Sequence, residues 1–335
     1  MMRVFYDEHA DDRALDSETV AIIGYGIQGR AQALNLRDSG VRVVVGNRRD
    51  PYRDRAEADG FRVLDVGEAT AEGTLILFLL PDEAQPDVFR QEIRPSIAAG
   101  AGLVFAHGFA VRYGLLDLPA TVDAMLLAPR MPGQYVRQRY LEGWGVPAFV
   151  AVAQDHTGRA WSRLIALARA LGVTRCGAIE LSFAQETELD HFSEHFLYPL
   201  IFHVLEMAFH ALVDAGYPPE AALMELHGSG ELGQVLTSAS REGLYQMIQS
   251  HASPACQVGM AHYWHRAAGD ETDVRARIRQ VLDAIGDGRF ARYLQTQQEH
   301  GYPDLEQWRR SRSTALIEAE HRLSEMLRKP LADEP

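Results

Sequence analysis

Four side chains that can bind a metal ion or move a proton lie close together in LDHFSEHF, residues 189–196. Residues four apart share a helix face, so Asp190 stands with Glu194, and His191 stands with His195. Two carboxylates one turn apart suit a hard cation such as Mg²⁺. The same residues also spell H-x-x-E-H, the metal-binding pattern of inverted zinc peptidases. The stretch alone therefore allows a magnesium site, a zinc site or an ordinary polar helix face.

A glycine motif near the N-terminus predicts a nucleotide ligand. Residues 20–23 are typical of a buried strand, and a helical pattern that ends at Gly40 follows the motif. G-x-G-x-x-G between a strand and a helix is the dinucleotide-binding fingerprint. Gly24 permits the tight turn, Gly26 lets a pyrophosphate approach, and Gly29 permits close packing of helix on strand. We expect the cofactor to contact Gly24, Tyr25, Gly26, Ile27, Gln28 and Gly29 at the helix N-terminus.

Two arginines after the second predicted strand favour NADPH over NADH. The strand at 41–46 is followed by Asn47, Arg48 and Arg49, where NAD-binding proteins usually carry an acidic residue. Two guanidinium groups suit a 2′-phosphate because they form charge-assisted hydrogen bonds with it. Asp50 keeps NADH as an alternative, and a solvated charged loop is the remaining interpretation.

The order of the predicted elements indicates how these groups are positioned. Apolar strands separated by helices predict an α/β fold with a Rossmann-type doubly wound parallel sheet. The further strands are at 74–80, 102–109, 123–130 and 146–153. Ligands of such sheets bind at the carboxyl ends of the strands. The segments at these ends are LPDEAQ (80–85), AHGF (106–109) and APRMPGQ (128–134).

Long helical patterns replace the strands after residue 183. They run over 184–215, 219–249, 272–286 and 303–328. The predicted domains are therefore a dinucleotide-binding domain at 1–182 and an all-α domain at 183–330 that carries the metal and substrate site.

The composition is that of a soluble acidic protein. A length of 335 residues suffices for two domains. The net charge of −13 disfavours nucleic acids and anionic membranes as partners. Cys176 and Cys256 form no disulfide framework, which favours the cytoplasm. We expect no secretory signal and no apolar run of membrane-spanning length.

Seven segments, in order, resemble class I ketol-acid reductoisomerases over nearly the whole chain. They are VAIIGYGIQGRAQALNLRDSG, LLPDEAQ, FAHGF, GVPAFVAVAQD, FAQETELDHFSEH, DAGYPPEAALMEL and VLDAIGDGRFAR. The resemblance implies a knotted helical domain and a homodimer, or a higher oligomer, in which each site is built from two chains. It also implies an NAD(P)H-dependent reaction on 2-acetolactate-type acids, as in branched-chain amino-acid biosynthesis. Two magnesium ions promote an alkyl migration, and hydride then reduces the resulting 2-keto acid to a 2,3-dihydroxy acid.

The resemblance also implies roles for individual residues. The cofactor positions are Gly24 to Gly29, Arg48, Asp82, Gln85 and His107, to which we add Arg49 and Gly133. The catalytic positions are His107, Arg130, Asp190, Glu194 and Glu225. Asp190 and Glu194 are the first metal carboxylates, which disfavours the peptidase interpretation of the same helix.

The chain departs from the family pattern where isomerisation takes place. Arg130 stands where the family has a catalytic lysine, and a guanidinium does not readily release a proton. The second metal motif has two glutamates four apart. Glu225 matches the first, but Ser229 stands at the second and Glu231 is six away. His227 is an alternative ligand, and an imidazole would shift the preference from magnesium toward zinc, manganese or iron.

Two further departures affect the pocket. The substrate-serine loop reads QSHASPACQVG, which places His251 and Pro254 beside Ser250 and Ser253. His195 stands where the family usually has a glutamine, and a bulky aromatic stretch follows it.

These departures lead us to expect an NADPH-dependent reductase of a small 2-keto acid, ketone or imine, with the isomerase step impaired or lost. One magnesium site is expected, and a second is doubtful. Specialised biosynthesis would be a natural setting. A genuine but divergent ketol-acid reductoisomerase is the first alternative, and a non-catalytic cofactor-binding scaffold is the second. The substrate and the roles of His191, His195, His227 and His251 stay open.

Overall fold

The computed structural model describes residues 2–11, 13–267 and 269–327, with the side chain of residue 265 left out. The chain divides into two compact units between Asp190 and His191.

A single mixed sheet of nine strands forms the centre of the first unit within the described residues. The strands are β1 (Val4–Phe5), β2 (Thr19–Ile23), β3 (Arg42–Gly46), β4 (Val63–Leu64), β5 (Leu75–Phe78), β6 (Gly102–Phe105), β7 (Asp123–Pro129), β8 (Ala148–Gln154) and β9 (Ala178–Glu180). Their order is β1-β9-β8-β7-β6-β5-β2-β3-β4.

The parallel part of this sheet confirms the predicted Rossmann-type fold. The strands β4-β3-β2-β5-β6-β7 are all parallel to their neighbours, which is the strand order of dinucleotide-binding sheets. The remaining strands make the sheet mixed, because β8 is antiparallel to β7 and β1 is antiparallel to β9. The point at which the strand order reverses lies between β2 and β5, so a ligand is expected at their carboxyl ends.

Helices cover both faces of the sheet. They are α1 (Ile27–Asp38), α2 (Pro51–Ala58), α3 (Val66–Glu72), α4 (Gln85–Val88), α5 (Arg94–Ser96), α6 (Phe109–Arg112), α7 (Gly133–Leu141), α8 (Ala160–Ala170) and α9 (Phe183–Phe192), with 3₁₀ turns at Asp7–His9 and Val173–Arg175 and a π-helical turn at Phe89–Ile93. Along β2, Val20 and Ile22 belong to one buried cluster, and Ala21 and Ile23 belong to the other. This alternation is expected of a strand that is buried on both faces.

The second unit is helical throughout its described residues. Its elements are the π-helical turn Ser193–Leu197, α10 (Tyr198–Asp214), α11 (Pro219–Leu223), the π-helical turn Met224–Gly228, α12 (Glu231–Glu242), α13 (Leu244–His251), α14 (Pro254–Ala267), α15 (Glu271–Gly286), α16 (Arg289–Glu299), α17 (Pro303–Ser311) and α18 (Thr314–Met326). The helical pattern predicted over 219–249 is interrupted, because Gly230 and Gly243 have φ angles of 85° and 92°. Glycine reaches these left-handed angles without the steric cost that other residues pay.

One helical stretch, which the sequence pattern placed at 184–215, is long and apolar. Phe183–Asp214 spans 32 residues and meets the length and composition of a membrane-crossing helix, with 6% of its most apolar window buried. The expectation that no apolar run reaches this length was therefore wrong. The finding is weak evidence for a membrane, because helices of soluble proteins often meet the same two criteria.

Candidate active site

The glycine loop after β2 closes so tightly that side chains are excluded at two positions. Gly24 has a φ of +92°, and a Cβ there would lie 2.9 Å from the Leu79 carbonyl oxygen. A Cβ on Gly29 would lie 1.9 Å from the Gly24 carbonyl oxygen. Gly26, at the start of α1, has no atom within 4 Å of its Cβ position. The loop is thus held by Gly24 and Gly29 and leaves open space at Gly26 and the helix N-terminus, which suits a phosphate.

A second helix begins close to the same loop. A Cβ on Gly133, at the start of α7, would lie 2.1 Å from the Ile27 carbonyl oxygen. The Gln28 side chain donates a hydrogen bond to the Met131 carbonyl oxygen at 2.9 Å. Gly133 therefore has a packing reason to be glycine, and the exposed Ile27 stands beside it at the N-terminus of α1.

The Tyr25 side chain points into the protein interior. Its ring is 1% exposed and packs edge-on against Phe61. Its hydroxyl donates to Asp59 at 2.9 Å, and Asp59 also forms an ion pair with Arg30. Burial, together with the Asp59 carboxylate, raises the pKa of Tyr25. The cofactor contact predicted for Tyr25 can therefore come from its backbone but not from its ring.

The loop after β3 leaves Arg48 at the surface. Asn47 accepts a hydrogen bond from the Tyr25 amide and donates to Asp50 at 2.8 Å. Asp50 caps α2 by accepting from two backbone amides, and Arg48 donates to it at 3.0 Å. Although burial opposes it, these hydrogen bonds lower the pKa of Asp50. Arg48 is 87% exposed, and Arg49 lines an open depression beside α2.

The ends of three neighbouring strands contribute polar side chains to one cluster. Asp82 follows β5, His107 follows β6, and Arg130 follows β7. Nδ1 of His107 lies 2.6 Å from an Asp82 oxygen, and its Nε2 lies 3.6 Å from an oxygen of Asp190 on α9. Burial disfavours the imidazolium, but Asp82 and the charges of Glu186 and Asp190 outweigh it and raise the pKa of His107 to about 9. His107 is therefore held between carboxylates as a proton-bearing cation.

Gln85 holds the Asp82 loop in place. It is 3% exposed and donates to the Leu80 carbonyl oxygen at 2.9 Å and to Asp82 at 3.2 Å. Gln85 therefore contacts Asp82, which in turn contacts the imidazole of His107.

Glu186 is a member of the cluster that the sequence analysis missed. It is fully buried and accepts a hydrogen bond from the Gly108 amide at 2.8 Å. Burial raises the pKa of Glu186 to about 7, and Asp190 adds to the rise, whereas His107, the Gly108 amide and Arg130 lower it. A Cβ on Gly108 would lie 2.7 Å from the Phe183 carbonyl oxygen, so glycine lets α9 approach. Glu186 stands four residues before Asp190 and therefore shares its helix face, and this spacing could have identified Glu186 from the sequence.

Arg130 bridges the two carboxylates of α9. Its guanidinium lies 3.2 Å from Glu186, contacts Asp190, and stacks over the Phe149 ring at 5.2 Å. Ligand atoms of His107, Glu186 and Asp190 lie within 4.8 Å of one another, which is close enough for a cation site. Because a guanidinium stays charged at neutral pH, Arg130 already supplies positive charge to both carboxylates.

The other predicted metal ligands belong to the second unit. Glu194 is exposed in the π-helical turn Ser193–Leu197, and Glu225 lies in the π-helical turn Met224–Gly228. Glu231 begins α12 directly after Gly230, whose left-handed backbone breaks the helix between Glu225 and Glu231.

Two of the histidines whose roles were open lie beside carboxylates of this unit. His227 lies 3.5 Å from Glu320, and His251 lies 2.9 Å from Glu242. Each imidazole thus has a carboxylate neighbour within the second unit.

Comparison with protein families matches both parts of the chain. Residues 14–177 match the family described as acetohydroxy acid isomeroreductase, NADPH-binding domain. Residues 183–329 match the ketol-acid reductoisomerase C-terminal domain.

Similar proteins cover the full length of the chain. The ketol-acid reductoisomerase (NADP(+)) of Methanopyrus kandleri is 39% identical over 337 residues, 100% of both chains. That of Caldivirga maquilingensis is 39% identical over 306 residues, 91% of this chain and 92% of its own. An NADH-preferring ketol-acid reductoisomerase from an uncultured archean superimposes with a TM-score of 0.90 at 33% identity, covering 99% of this chain and 100% of its own.

Proposed function

Because the chain belongs to the ketol-acid reductoisomerase family of oxidoreductases, we propose that it catalyses both steps of that reaction. The substrate is a 2-acetolactate-type acid, which is isomerised and then reduced by NADPH to a 2,3-dihydroxy acid. The observation that carries the proposal is the cluster in which Asp82, His107 and Arg130, from the ends of three neighbouring strands, meet Asp190 of α9.

The expectation of an impaired isomerase step finds no support in the comparisons. Relatives that are 37–39% identical over at least 91% of this chain carry the full reductoisomerase name. The alternative of a genuine, divergent reductoisomerase fits them better. The departures at Arg130 and Ser229 are then differences in how this chain carries out the reaction.

We propose NADPH as the cofactor, which supplies the hydride. The glycine loop would hold its pyrophosphate, and the exposed Arg48 and Arg49 would contact the 2′-phosphate. NADH stays as an alternative because one similar structure is described as NADH-preferring.

Proton transfer in this chain is proposed to fall to His107 and Glu186. Arg130 keeps its proton, so it holds charge and position between Glu186 and Asp190. Both proposed groups lie within the same cluster, with His107 3.6 Å from Asp190 and Glu186 3.2 Å from Arg130, and their surroundings raise the pKa of each. The proton that the family's catalytic lysine would supply at the position of Arg130 would thus come from a neighbouring group.

Carboxylate oxygens are the kind of ligand preferred by the magnesium ions that the family implies. Asp190 and Glu194 are proposed for the first ion, and Glu225 with Glu231 for a second, weaker site. Bound magnesium supplies a Lewis acid for the alkyl migration. Since Asp190 contacts Arg130, a cation at Asp190 must share that carboxylate with the guanidinium.

We also propose that the protein works as a homodimer in the cytoplasm. Large apolar side chains of the second unit are exposed in the single chain, among them Phe202, Tyr245, Val258 and Trp308. A second copy would cover them with an apolar interface of the obligate type. Both cysteines are free, which is consistent with a reducing compartment.

The test compares two substrates in the presence of NADPH and Mg²⁺. One is 2-acetolactate, and the other is 3-hydroxy-3-methyl-2-oxobutanoate, the intermediate after migration. Comparable rates of NADPH oxidation, with 2,3-dihydroxy acid as the product of both, are expected. Turnover of the second substrate alone would overturn the proposal that this protein catalyses the isomerisation step. Turnover of neither substrate would overturn the proposed reaction and favour the non-catalytic cofactor-binding scaffold.

A further inference from the structure

The proposed reaction uses Glu194 but gives no role to the two histidines beside it. Ligand atoms of His191, Glu194 and His195 all lie within 4.8 Å of one another. The centroids of the two imidazole rings are 4.7 Å apart. From this geometry we propose that His191, Glu194 and His195 bind one divalent transition-metal ion, such as zinc, through a ligand set that shares only Glu194 with the proposed magnesium ligands.

The spacing of the ligand atoms suits a single ion after small side-chain rotations. With metal–ligand distances of about 2.1 Å, two atoms of a tetrahedral zinc site are about 3.4 Å apart. Atoms that lie within 4.8 Å of one another need to approach by at most about 1.4 Å to reach that spacing. Rotation about the terminal bonds of histidine and glutamate covers this distance, because those torsions have broad minima. The helix backbone can therefore stay where it is.

The donor atoms determine the class of metal. Imidazole nitrogen suits zinc, cobalt, iron and manganese, whereas Mg²⁺ prefers oxygen ligands and keeps several waters. Two imidazoles and one carboxylate fill three positions of a tetrahedral ion. The fourth position stays open to water or a small ligand, as in zinc sites with three protein ligands.

An aromatic side chain encloses one side of the histidine pair. The Phe290 ring centroid lies 4.0 Å from that of His195 and 5.3 Å from that of His191. His191 is 4% exposed, whereas Glu194 is exposed to solvent. The apolar ring limits water around the imidazoles and restricts their orientation, which favours ion binding. The open side at Glu194 gives the ion a path to the site.

Cobalt is a suitable probe because it replaces zinc and has a visible spectrum that depends on its ligands. Full-length protein without a histidine tag would be titrated with Co²⁺ in the absence of Mg²⁺, because Glu194 is also a proposed magnesium ligand, and then with Zn²⁺. We expect one equivalent of Co²⁺ to give the intense absorption of a tetrahedral ion and to be displaced by Zn²⁺. His195→Gln, which restores the residue usual in the family, should weaken Co²⁺ binding at least about tenfold. His203→Gln is the matched control, since His203 lies in α10, is 68% exposed and pairs with Glu206.

A second variant separates this site from the proposed magnesium pair. Asp190→Asn removes a magnesium carboxylate but none of the three proposed ligands, so the cobalt absorption should persist. Loss of the band in Asp190→Asn, unchanged binding in His195→Gln, or no stoichiometric binding by folded wild-type protein would each overturn the proposal. Circular dichroism would establish that the variants fold. Because the absorption reports metal binding and not turnover, failure of the proposed reaction would be seen separately.

Discussion

The two units of the chain differ in how much apolar surface they bury by themselves. The first unit has a large buried cluster on each face of its sheet. In the second unit, the buried cluster found among the described residues consists of Phe209, Ala222, Leu223, Ala319 and Leu323. Phe202 and Tyr245 of that unit are 65% and 72% exposed. A dinucleotide-binding unit can thus be complete within one chain, whereas the helical unit has apolar side chains that a single chain does not cover.

The largest effect is expected from adding one methyl group to the glycine loop. Gly29→Ala would place a Cβ 1.9 Å from the Gly24 carbonyl oxygen, and we expect a loss of about 3 kcal/mol in the free energy of unfolding. Thermal unfolding and NADPH titration would measure it. Gly26→Ala is the contrast, since its Cβ has open space: this variant should keep its stability and lose cofactor affinity. Equal stability of both variants would contradict the idea that the loop is held by packing within the first unit.

The next effect concerns Arg130, which tests whether the cluster works through charge. Arg130→Gln removes the cation between Glu186 and Asp190, so kcat should fall about 100-fold, or about 2.7 kcal/mol. Arg130→Lys keeps the charge and should retain more activity. Arg112→Gln is the control, because Arg112 pairs with Glu188 of the same helix. In Arg130→Gln, the NADPH affinity and the oligomeric state should not change. A monomeric Arg130→Gln protein would contradict the idea that the first unit carries the reaction and the second unit carries the dimer contacts.

A charge on the exposed apolar surface of the second unit should dissociate the proposed dimer. For Phe202→Asp we expect the free energy of association to weaken by about 2 kcal/mol, which corresponds to a dimer dissociation constant about thirtyfold higher. Analytical sedimentation would measure it. Leu141→Asp is the matched control, because Leu141 is also 65% exposed but belongs to the first unit. Phe202→Asp should still bind NADPH, since the glycine loop lies in the first unit. Loss of NADPH binding together with the dimer would show that the first unit is not self-sufficient.

The smallest effect is expected at the surface of the first unit. Replacing both Arg48 and Arg49 with alanine should raise the NADPH dissociation constant about tenfold, roughly 1.4 kcal/mol. NADH binding should barely change, because NADH has no 2′-phosphate for the exposed guanidinium groups to contact. Equal losses for the two cofactors in calorimetric titrations would count against the assignment.

Patterns within one segment predicted the parallel part of the sheet well. Strands such as β2 and β7 are long enough to show continuous apolar character, and the glycine motif marks the turn after β2. The short strands β1, β4 and β9 have two or three residues, which is too few for a periodic signal. The antiparallel direction of β8 depends on its pairing with β7, so its own residues do not encode it.

The sequence predicted the site residues that lie at the ends of strands. It did not predict the features that depend on contacts between residues far apart in the sequence. Asp82, His107 and Arg130 were found because each lies at or just beyond the carboxyl end of a predicted strand, at a position for which the family resemblance implies a role. The burial of Glu186 depends on Gly108, 78 positions away in the sequence, so its raised pKa has no local signal. The inward direction of the Tyr25 side chain likewise depends on Asp59 and Phe61.

The π-helical turn at Ser193–Leu197 has a consequence for sequence insertions and deletions. A π-helical turn holds one residue more than an α-helical turn, and each residue of an α-helix advances by about 100° around the axis. Deleting one residue from this turn would therefore convert it to an α-helical turn and leave the side chains of α10 facing as they do now. Deleting one residue from the first turn of α10, which has no extra residue to give up, would instead swing the side chains that follow by about 100°. Phe202, exposed in the present register, therefore keeps its direction when the length change falls within the π-helical turn.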